Sequence, residues 1–318
     1  MHITRRTAVL GATALAACSK TEKPSAPKPS EGKIAVTGGS VAWRRIGDGP
    51  KTPLLCLHGG PGVASDYLEP LGGLGDERAV YFYDQLGCGR SDRPTDASLW
   101  TVERFVAELA TVREALGLTE MHLLGQSWGS MLATEYLLTR GEAGVRSAVF
   151  AGPAISAKRY SEDARTFIPE LTSEAQAAIA KAEMTGDFTA PDYEAAVNEF
   201  NATHLIRAGS PETMPFAEKA LAGMNPDIYA QMNGPSEFTL LGALKEFDRT
   251  QDLAKLNIPI LFLSGEFDTA TPAAARDYAS AAKHAEVVVI AAAGHLTTID
   301  APAATNDAVR AFLHKVET

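Results

Sequence analysis

Short apolar runs alternate with amphipathic stretches along most of this 318-residue chain. Between residues 102 and 116 apolar side chains recur at steps of three and four, which predicts an amphipathic helix. Alternating positions around Gly38-Gly39 predict a hairpin over 34–46. Runs typical of buried parallel strands occupy residues 53–57, 79–83, 121–124, 145–151, 258–263 and 286–290. Strands and helices that alternate in this way predict an α/β fold with a mostly parallel sheet.

The alternation of strands and helices stops between about residues 153 and 248. This stretch is rich in Ala and Glu, has helical spacing and lacks a convincing strand pattern. The strand pattern returns at Ile258. The sequence therefore predicts one α/β core, built from 33–152 and 249–318, that is interrupted by a helical insertion over 153–248.

The N-terminus has the pattern of an export signal over residues 1–17. Residues 4–7 read Thr-Arg-Arg-Thr, and a short apolar run follows that is too short to span a bilayer of roughly 30 Å. Residues 15–18 read Leu-Ala-Ala-Cys, which resembles a bacterial lipobox with Cys18 as the lipidated residue. The polar, Pro- and Ser-rich segment 18–32 is typical of a flexible tether. We expect an exported, membrane-anchored lipoprotein that faces the periplasm or the cell exterior; the alternative is an ordinary secretory signal with an incidental cysteine.

Composition and charge exclude several classes of protein. The chain is 45% hydrophobic, which is ample for a core and excludes a disordered or fibrous protein. Its 29 basic and 39 acidic residues give a net charge of −10, which argues against a general nucleic-acid binder. Three cysteines are too few for a disulfide scaffold, and their spacing does not indicate a zinc site.

A motif for nucleophilic catalysis follows the predicted strand at 121–124. Residues 125–129 read Gly-Gln-Ser-Trp-Gly, and a helical pattern comes directly after them. This strand–turn–helix context is the one that a nucleophile elbow requires. The turn is so tight that side chains at Gly125 and Gly129 would clash, and the serine takes a strained conformation. We therefore predict Ser127 as the nucleophile.

A serine nucleophile needs a base and an orienting acid. His295 follows the last predicted strand, and Asp268 follows the strand predicted at 258–263, so both are expected at the carboxyl edge of the sheet. The order Ser, Asp, His along the chain is that of α/β-hydrolases. Glu266 is the alternative acid. This chemistry requires no metal and no organic cofactor.

The oxyanion that forms during attack on a carbonyl needs hydrogen-bond donors that are already in place. We predict the backbone N–H of Trp128, which directly follows the nucleophile, as one donor. Residues 58–62 read His-Gly-Gly-Pro-Gly after the predicted strand at 53–57, and Gly60 is the predicted second donor. His58 is expected to brace this loop and not to act as a base.

These motifs together resemble the proline iminopeptidase family of serine hydrolases. The resemblance rests on residues 58–62 (HGGPG), 84–91 (DQLGCGRS), 125–130 (GQSWGS), 232–238 (MNGPSEF) and 265–268 (GEFD). It implies an α/β-hydrolase core with a helical cap over the active site. It also implies the removal of N-terminal residues, often proline, from peptides or amino-acid amides with a free N-terminus.

The resemblance further implies that acidic cap residues hold the free amino group of the substrate. Glu237 matches one such position, although a carboxylate at a helix start is the alternative interpretation. The second acid stays open among Glu199, Glu212 and Glu218. After residues 204–207 the chain reads Ala-Gly-Ser-Pro where family members usually carry Trp-Pro, so strict proline preference does not follow from the resemblance.

Two other functions stay open on the sequence. An amidase or esterase that acts on amino-acid amides or esters would use the same three residues. A non-catalytic binding protein on a hydrolase scaffold would keep the fold without turnover. The oligomeric state is not indicated by the sequence.

Overall fold

A seven-stranded sheet forms the centre of the computed structural model, which describes residues 30–318. The strands are β1 Ser30–Val36, β2 Gly39–Leu57, β3 Arg78–Tyr83, β4 Met121–Gln126, β5 Val145–Ala151, β6 Ile260–Gly265 and β7 Ala285–Ile290. The strands β2, β4, β5, β6 and β7 are neighbours in this order and pair in parallel. Their carboxyl ends therefore meet at one edge of the sheet. This arrangement confirms the predicted α/β fold.

The strand β2 unites two segments that the sequence pattern separates, the second arm of the hairpin and the run at 53–57. Its first half pairs with β1, and β3 packs beside both halves. Residues 30–32 pair with Arg45, Arg44 and Trp43, so the predicted tether ends too late. An edge strand forms its hydrogen bonds through the backbone and needs no apolar side chains. The polar composition of these residues therefore gave no sign of a strand. Cys18, the predicted signal and the rest of the tether lie outside the described residues.

Helices cover both faces of the sheet. They are α1 Val102–Ala115, α2 Trp128–Arg140, α3 Ala157–Arg165, α4 Ser173–Thr185, α5 Pro191–His204, α6 Met214–Ala222, α7 Pro226–Met232, α8 Pro272–Ala281, α9 Thr297–Asp300 and α10 Pro302–Glu317. Successive side chains of a strand point to opposite faces. Leu55 and Leu57 accordingly join the core under α1, α2 and α8, whereas Leu54 and Cys56 join the core under α10. Within residues 30–318, no helix combines the length and the apolarity needed to cross a membrane.

The segment between β5 and β6 carries α3 to α7 and has a small core of its own. Phe200 and Phe238 are fully buried there, with ring centroids 4.9 Å apart. The two ends of the segment meet where Ser156 forms a β-bridge with Asp248. The helices therefore rise from one place on the sheet edge, and we call this segment, 153–248, the cap.

Candidate active site

Ser127 occupies the turn between β4 and α2. Its backbone has φ 54° and ψ −121°, a conformation that residues other than glycine rarely adopt. A Cβ atom on Gly125 would lie 2.1 Å from the carbonyl oxygen of Gly129, and one on Gly129 would lie 2.3 Å from that of Leu57. The strand and the helix can approach this closely only because both positions are glycine. The turn presents Ser127 at the carboxyl edge of the sheet.

Two loops at the same edge bring His295 and Asp268 together. The Nδ1 atom of His295 lies 2.6 Å from Oδ1 of Asp268, and both side chains are buried. Asp268 is held in turn by the backbone N–H groups of Ala270, at 2.7 Å, and Gly265, at 3.3 Å. Burial lowers the pKa of His295, whereas the carboxylate of Asp268 and the charge of Glu237 raise it, and the resulting pKa lies above its ordinary value.

The serine and the histidine face one cavity. Ser127 and His295 both line a space of about 490 Å³ between the core and the cap. The Nε2 atom of His295 is buried and has no hydrogen-bond partner among residues 30–318. It is therefore available to a serine hydroxyl or a substrate. The carboxylate of the alternative acid, Glu266, instead accepts a hydrogen bond from the N–H of Ala292 at 2.9 Å.

The two predicted oxyanion donors also lie beside the serine. Gly60, Ser127 and Trp128 border one small space. Trp128 is the first residue of α2, where backbone N–H groups have no acceptor within the helix. The loop that carries Gly60 is braced as expected, since His58 accepts a hydrogen bond from the N–H of Gln85 at 2.9 Å. Burial lowers the pKa of His58, which keeps its ring neutral in this role.

Glu237 lies in the wall of the same cavity and is held by two tyrosines. The hydroxyl of Tyr160 donates to its Oε2 atom at 2.5 Å, and that of Tyr229 donates to Oε1 at 2.7 Å. Burial, with the nearby charge of Glu237, raises the pKa of both tyrosines well above the ordinary value, so both hydroxyls stay protonated donors. The hydroxyl of Tyr160 also lies 2.7 Å from Oγ1 of Thr269, next to Asp268. Glu237 is thereby linked to the loop that orients the histidine.

The three other candidate acids of the cap lie in different surroundings. Glu199 is engaged by Thr172, whose N–H and hydroxyl donate to its carboxylate at 2.6 Å and 2.8 Å. Glu212 is exposed beside Ser210. Glu218 lines the cavity and is exposed. Of these three, Glu218 is the one that a molecule in the cavity would meet.

His204, at the end of α5, connects the cap to both loops of the pair His295–Asp268. Its carbonyl oxygen accepts a hydrogen bond from the N–H of His295 at 2.8 Å. Its ring atom Nδ1 lies 3.0 Å from the carbonyl oxygen of Phe267, the residue before Asp268. Sequence reasoning missed this residue and the two tyrosines, because each lies in a helical pattern that gives no local sign of its partners.

Comparisons with known proteins find relatives that cover most of the chain. Residues 52–302 match the family described as alpha/beta hydrolase fold. The chain is 38% identical to the proline iminopeptidase of Heyndrickxia coagulans over 90% of this chain and 99% of that one. It is 40% identical to that of Levilactobacillus brevis over 82% of this chain and 89% of that one. The crystal structure of the Mycobacterium smegmatis proline iminopeptidase superposes with a TM-score of 0.81 at 32% identity, over 90% of this chain and 98% of that one.

Proposed function

The chain belongs to the proline iminopeptidase family of α/β hydrolases, and we propose that it is a serine aminopeptidase that releases N-terminal residues, proline among them, from peptides. The observation that carries the proposal is the position of Glu237. A carboxylate held by two tyrosine hydroxyls borders the cavity that Ser127 and His295 also line. This arrangement suits a substrate whose reacting carbonyl is close to a protonated amine.

In the proposed mechanism, Ser127 Oγ attacks the carbonyl carbon while Nε2 of His295 takes its proton. Asp268 keeps the imidazole oriented and stabilises its charged form. The N–H groups of Gly60 and Trp128 donate to the oxyanion, and each is worth roughly 3 kcal/mol. His295 then protonates the leaving nitrogen, the C–N bond breaks, and a water molecule activated by the same histidine hydrolyses the acyl-enzyme.

Glu237 selects for a free N-terminus in this mechanism. Its carboxylate would pair with the substrate ammonium, whereas an N-blocked substrate leaves the carboxylate without its partner in a partly buried site. A simple ester needs no amine, so its hydrolysis depends on Ser127, His295 and the oxyanion donors alone. The requirement for a free amine therefore separates an aminopeptidase from a general amidase or esterase.

We expect Glu237→Gln to remove the charge and keep the shape. The loss should be roughly 2–5 kcal/mol of transition-state stabilisation for free-amine substrates and close to none for a short acyl ester. The measurement is kcat/KM for prolyl naphthylamide, its N-acetyl form and the ester. Glu246→Gln, which changes an exposed carboxylate of the cap, is the matched control. Ser127→Ala should abolish all three reactions.

Two results would contradict the aminopeptidase proposal. The first is a wild-type protein that cleaves the blocked amide as fast as the free one. The second is a Glu237→Gln variant that slows all three substrates alike, because a uniform loss indicates a damaged fold and not a lost amine contact.

We also propose that Cys18 is lipidated and that the catalytic domain is held outside the cytoplasm at a membrane surface. The support is the Leu-Ala-Ala-Cys motif at residues 15–18, the basic start and the polar segment that follows. The first strand begins at Ser30. About a dozen residues would therefore separate the lipid from the folded core.

Fractionation of the producing cells tests this location. Wild-type protein should be found with membranes and partition into a detergent phase, and Cys18→Ser should appear in a soluble or unprocessed form. Cys56→Ser is the control, since it removes a buried thiol in β2 and leaves the motif intact. Wild-type protein found entirely in the cytosolic fraction would contradict the proposal.

A further inference from the structure

The cavity at the active site is larger and more apolar than a small N-terminal residue requires. Its volume is about 490 Å³. Its apolar walls come from the end of α5, from α6 and from the residue before α9, and they are formed by Leu205, Ile206, Met214, Ala217, Leu221 and Leu296. Among residues 30–318, those that line it include no lysine or arginine. We call this apolar part of the cavity the chamber.

The chamber lies on the histidine side of Ser127. The carbonyl oxygen of His204 accepts a hydrogen bond from the N–H of His295, and the carbonyl oxygen of the next residue, Leu205, accepts one from the N–H of Leu296. These two successive bonds join the residues into one continuous wall. From there the wall passes to Met214 and to Leu221 on α6. A second space of only about 10 Å³ is bordered by Ser127, Trp128 and Tyr160 and not by His295, and Glu237 borders both spaces.

The chemistry of the proposed reaction decides which part of a substrate enters the chamber. His295 must protonate the leaving nitrogen, so that nitrogen has to lie beside His295. The amine belongs to the acyl part of the substrate and lies toward Glu237. The group attached to the leaving nitrogen is therefore directed along the wall that begins at His295 and Leu296.

On this basis, which rests on the proposed aminopeptidase function, we propose that the chamber binds the second residue of the peptide and selects for a bulky apolar side chain there. Burial of one leucine side chain corresponds to a gain of about 10- to 100-fold in binding. A polar side chain of the same size gains no free energy from apolar burial and loses its hydrogen bonds to water. The described lining of the cavity has no lysine or arginine that could pair with a free carboxylate on the second residue of the peptide, and the exposed Glu218 would repel it.

A matched pair of amidated substrates tests the proposal, Pro-Leu-NH₂ and Pro-Asn-NH₂, whose second side chains have similar size. Wild type should give a kcat/KM ratio of about tenfold or more in favour of leucine. Leu221→Ser should reduce this ratio severalfold, because Leu221 presents apolar surface to the chamber. The side chain is 67% exposed, so we expect the fold to tolerate the change. Leu241→Ser, at another exposed leucine of the cap outside the chamber, should keep the wild-type ratio.

Each result decides the proposal. A wild-type ratio near one overturns it, and a wild-type ratio retained in Leu221→Ser overturns the assignment of α6 as the binding wall. The N-acetylated forms of both peptides are measured in parallel. Their cleavage at the rate of the free forms would overturn the aminopeptidase function itself, whereas a flat leucine-to-asparagine ratio with a strict need for the free amine overturns the chamber inference alone.

Discussion

The surroundings of His295 combine two opposing effects on one imidazole. Its side chain is almost fully buried, which disfavours the charged form, and Asp268 at 2.6 Å favours that form. The charge of Glu237 adds to the effect of Asp268, and together they exceed the effect of burial, so the pKa of His295 is raised from 6.5. A general base must be neutral to accept a proton. The raised pKa therefore moves the loss of activity on the acid side to higher pH.

We expect the acid limb of kcat/KM to have its midpoint above pH 6.5 in the wild type. Asp268→Asn removes the carboxylate that raises the pKa of His295 most and leaves the burial that lowers it, so the midpoint of the remaining activity should move to lower pH. Its rate should fall by several orders of magnitude, on the order of 10⁴. Glu266→Gln is the control. An unchanged midpoint in Asp268→Asn would show that another group titrates.

At the scale of the elements, the end of α5 joins the cap to the catalytic edge of the sheet. The backbone carbonyl of His204 accepts a hydrogen bond from the N–H of His295. The ring of His204 is hydrogen-bonded to the carbonyl oxygen of Phe267, the residue before Asp268. The ring is packed against Phe167, with centroids 4.1 Å apart, and against Phe200. The cap therefore positions the acid and the base in addition to covering the cavity.

We expect His204→Ala to lower kcat by about 10- to 100-fold with little change in KM, because the loop of Asp268 loses the ring contact at Phe267 while the substrate contacts remain. The backbone carbonyl that accepts from the N–H of His295 is kept in this variant. His204→Asn should restore much of kcat, since its amide can donate to the carbonyl of Phe267. His284→Ala, at an exposed histidine, is the control. A loss of kcat that merely follows the unfolded fraction, measured by thermal melting, would contradict the positioning role.

At the scale of the whole molecule, a buried polar cluster ties the C-terminal helix to the sheet. Glu317 of α10 accepts a hydrogen bond from Arg78 of β3 at 2.7 Å and lies 3.2 Å from Nε2 of His122 in β4. His122 also contacts the hydroxyl of Ser147 in β5 at 2.7 Å. Burial lowers the pKa of His122 to about 4, and the contact with Glu317 only partly opposes it. The histidine is thus held neutral in the folded protein.

This neutral histidine makes stability depend on pH. Below pH 6.5 the unfolded chain binds a proton at His122 that the folded protein binds only near pH 4, so the free energy of unfolding falls as pH drops through this window. The loss attributable to His122 is about 3 kcal/mol. Urea unfolding at pH 7 and pH 4.5 should show a smaller difference for His122→Asn than for wild type. The exposed His284→Asn should keep the full difference; an equal difference for all three proteins would contradict the assignment.

The positions of most strands and of α1 could be predicted because their side-chain periodicity is local. The predicted helix at 102–116 agrees with α1, Val102–Ala115, and the predicted run at 145–151 is β5. The ends of β3, β4, β6 and β7 differ from the predicted runs by one or two residues, as at β6, which begins at Ile260 and not at Ile258. Strand ends depend on which neighbour supplies hydrogen bonds, and periodicity does not carry that information.

In the candidate active site, too, some positions could be predicted from the chain and some contacts could not. The position of Ser127 at the edge of the sheet could be predicted because its strained turn needs glycines at fixed spacing. The positions of Asp268 and His295 could be predicted because each follows a strand whose carboxyl end must reach the same edge. The tyrosines around Glu237 and the support that His204 gives to both loops could not. These contacts join residues up to about ninety positions apart in the chain, and no local pattern records which cap helix will face which loop. Only the packing of the cap on the sheet brings them together, because side chains on separate helices meet where their apolar faces are buried.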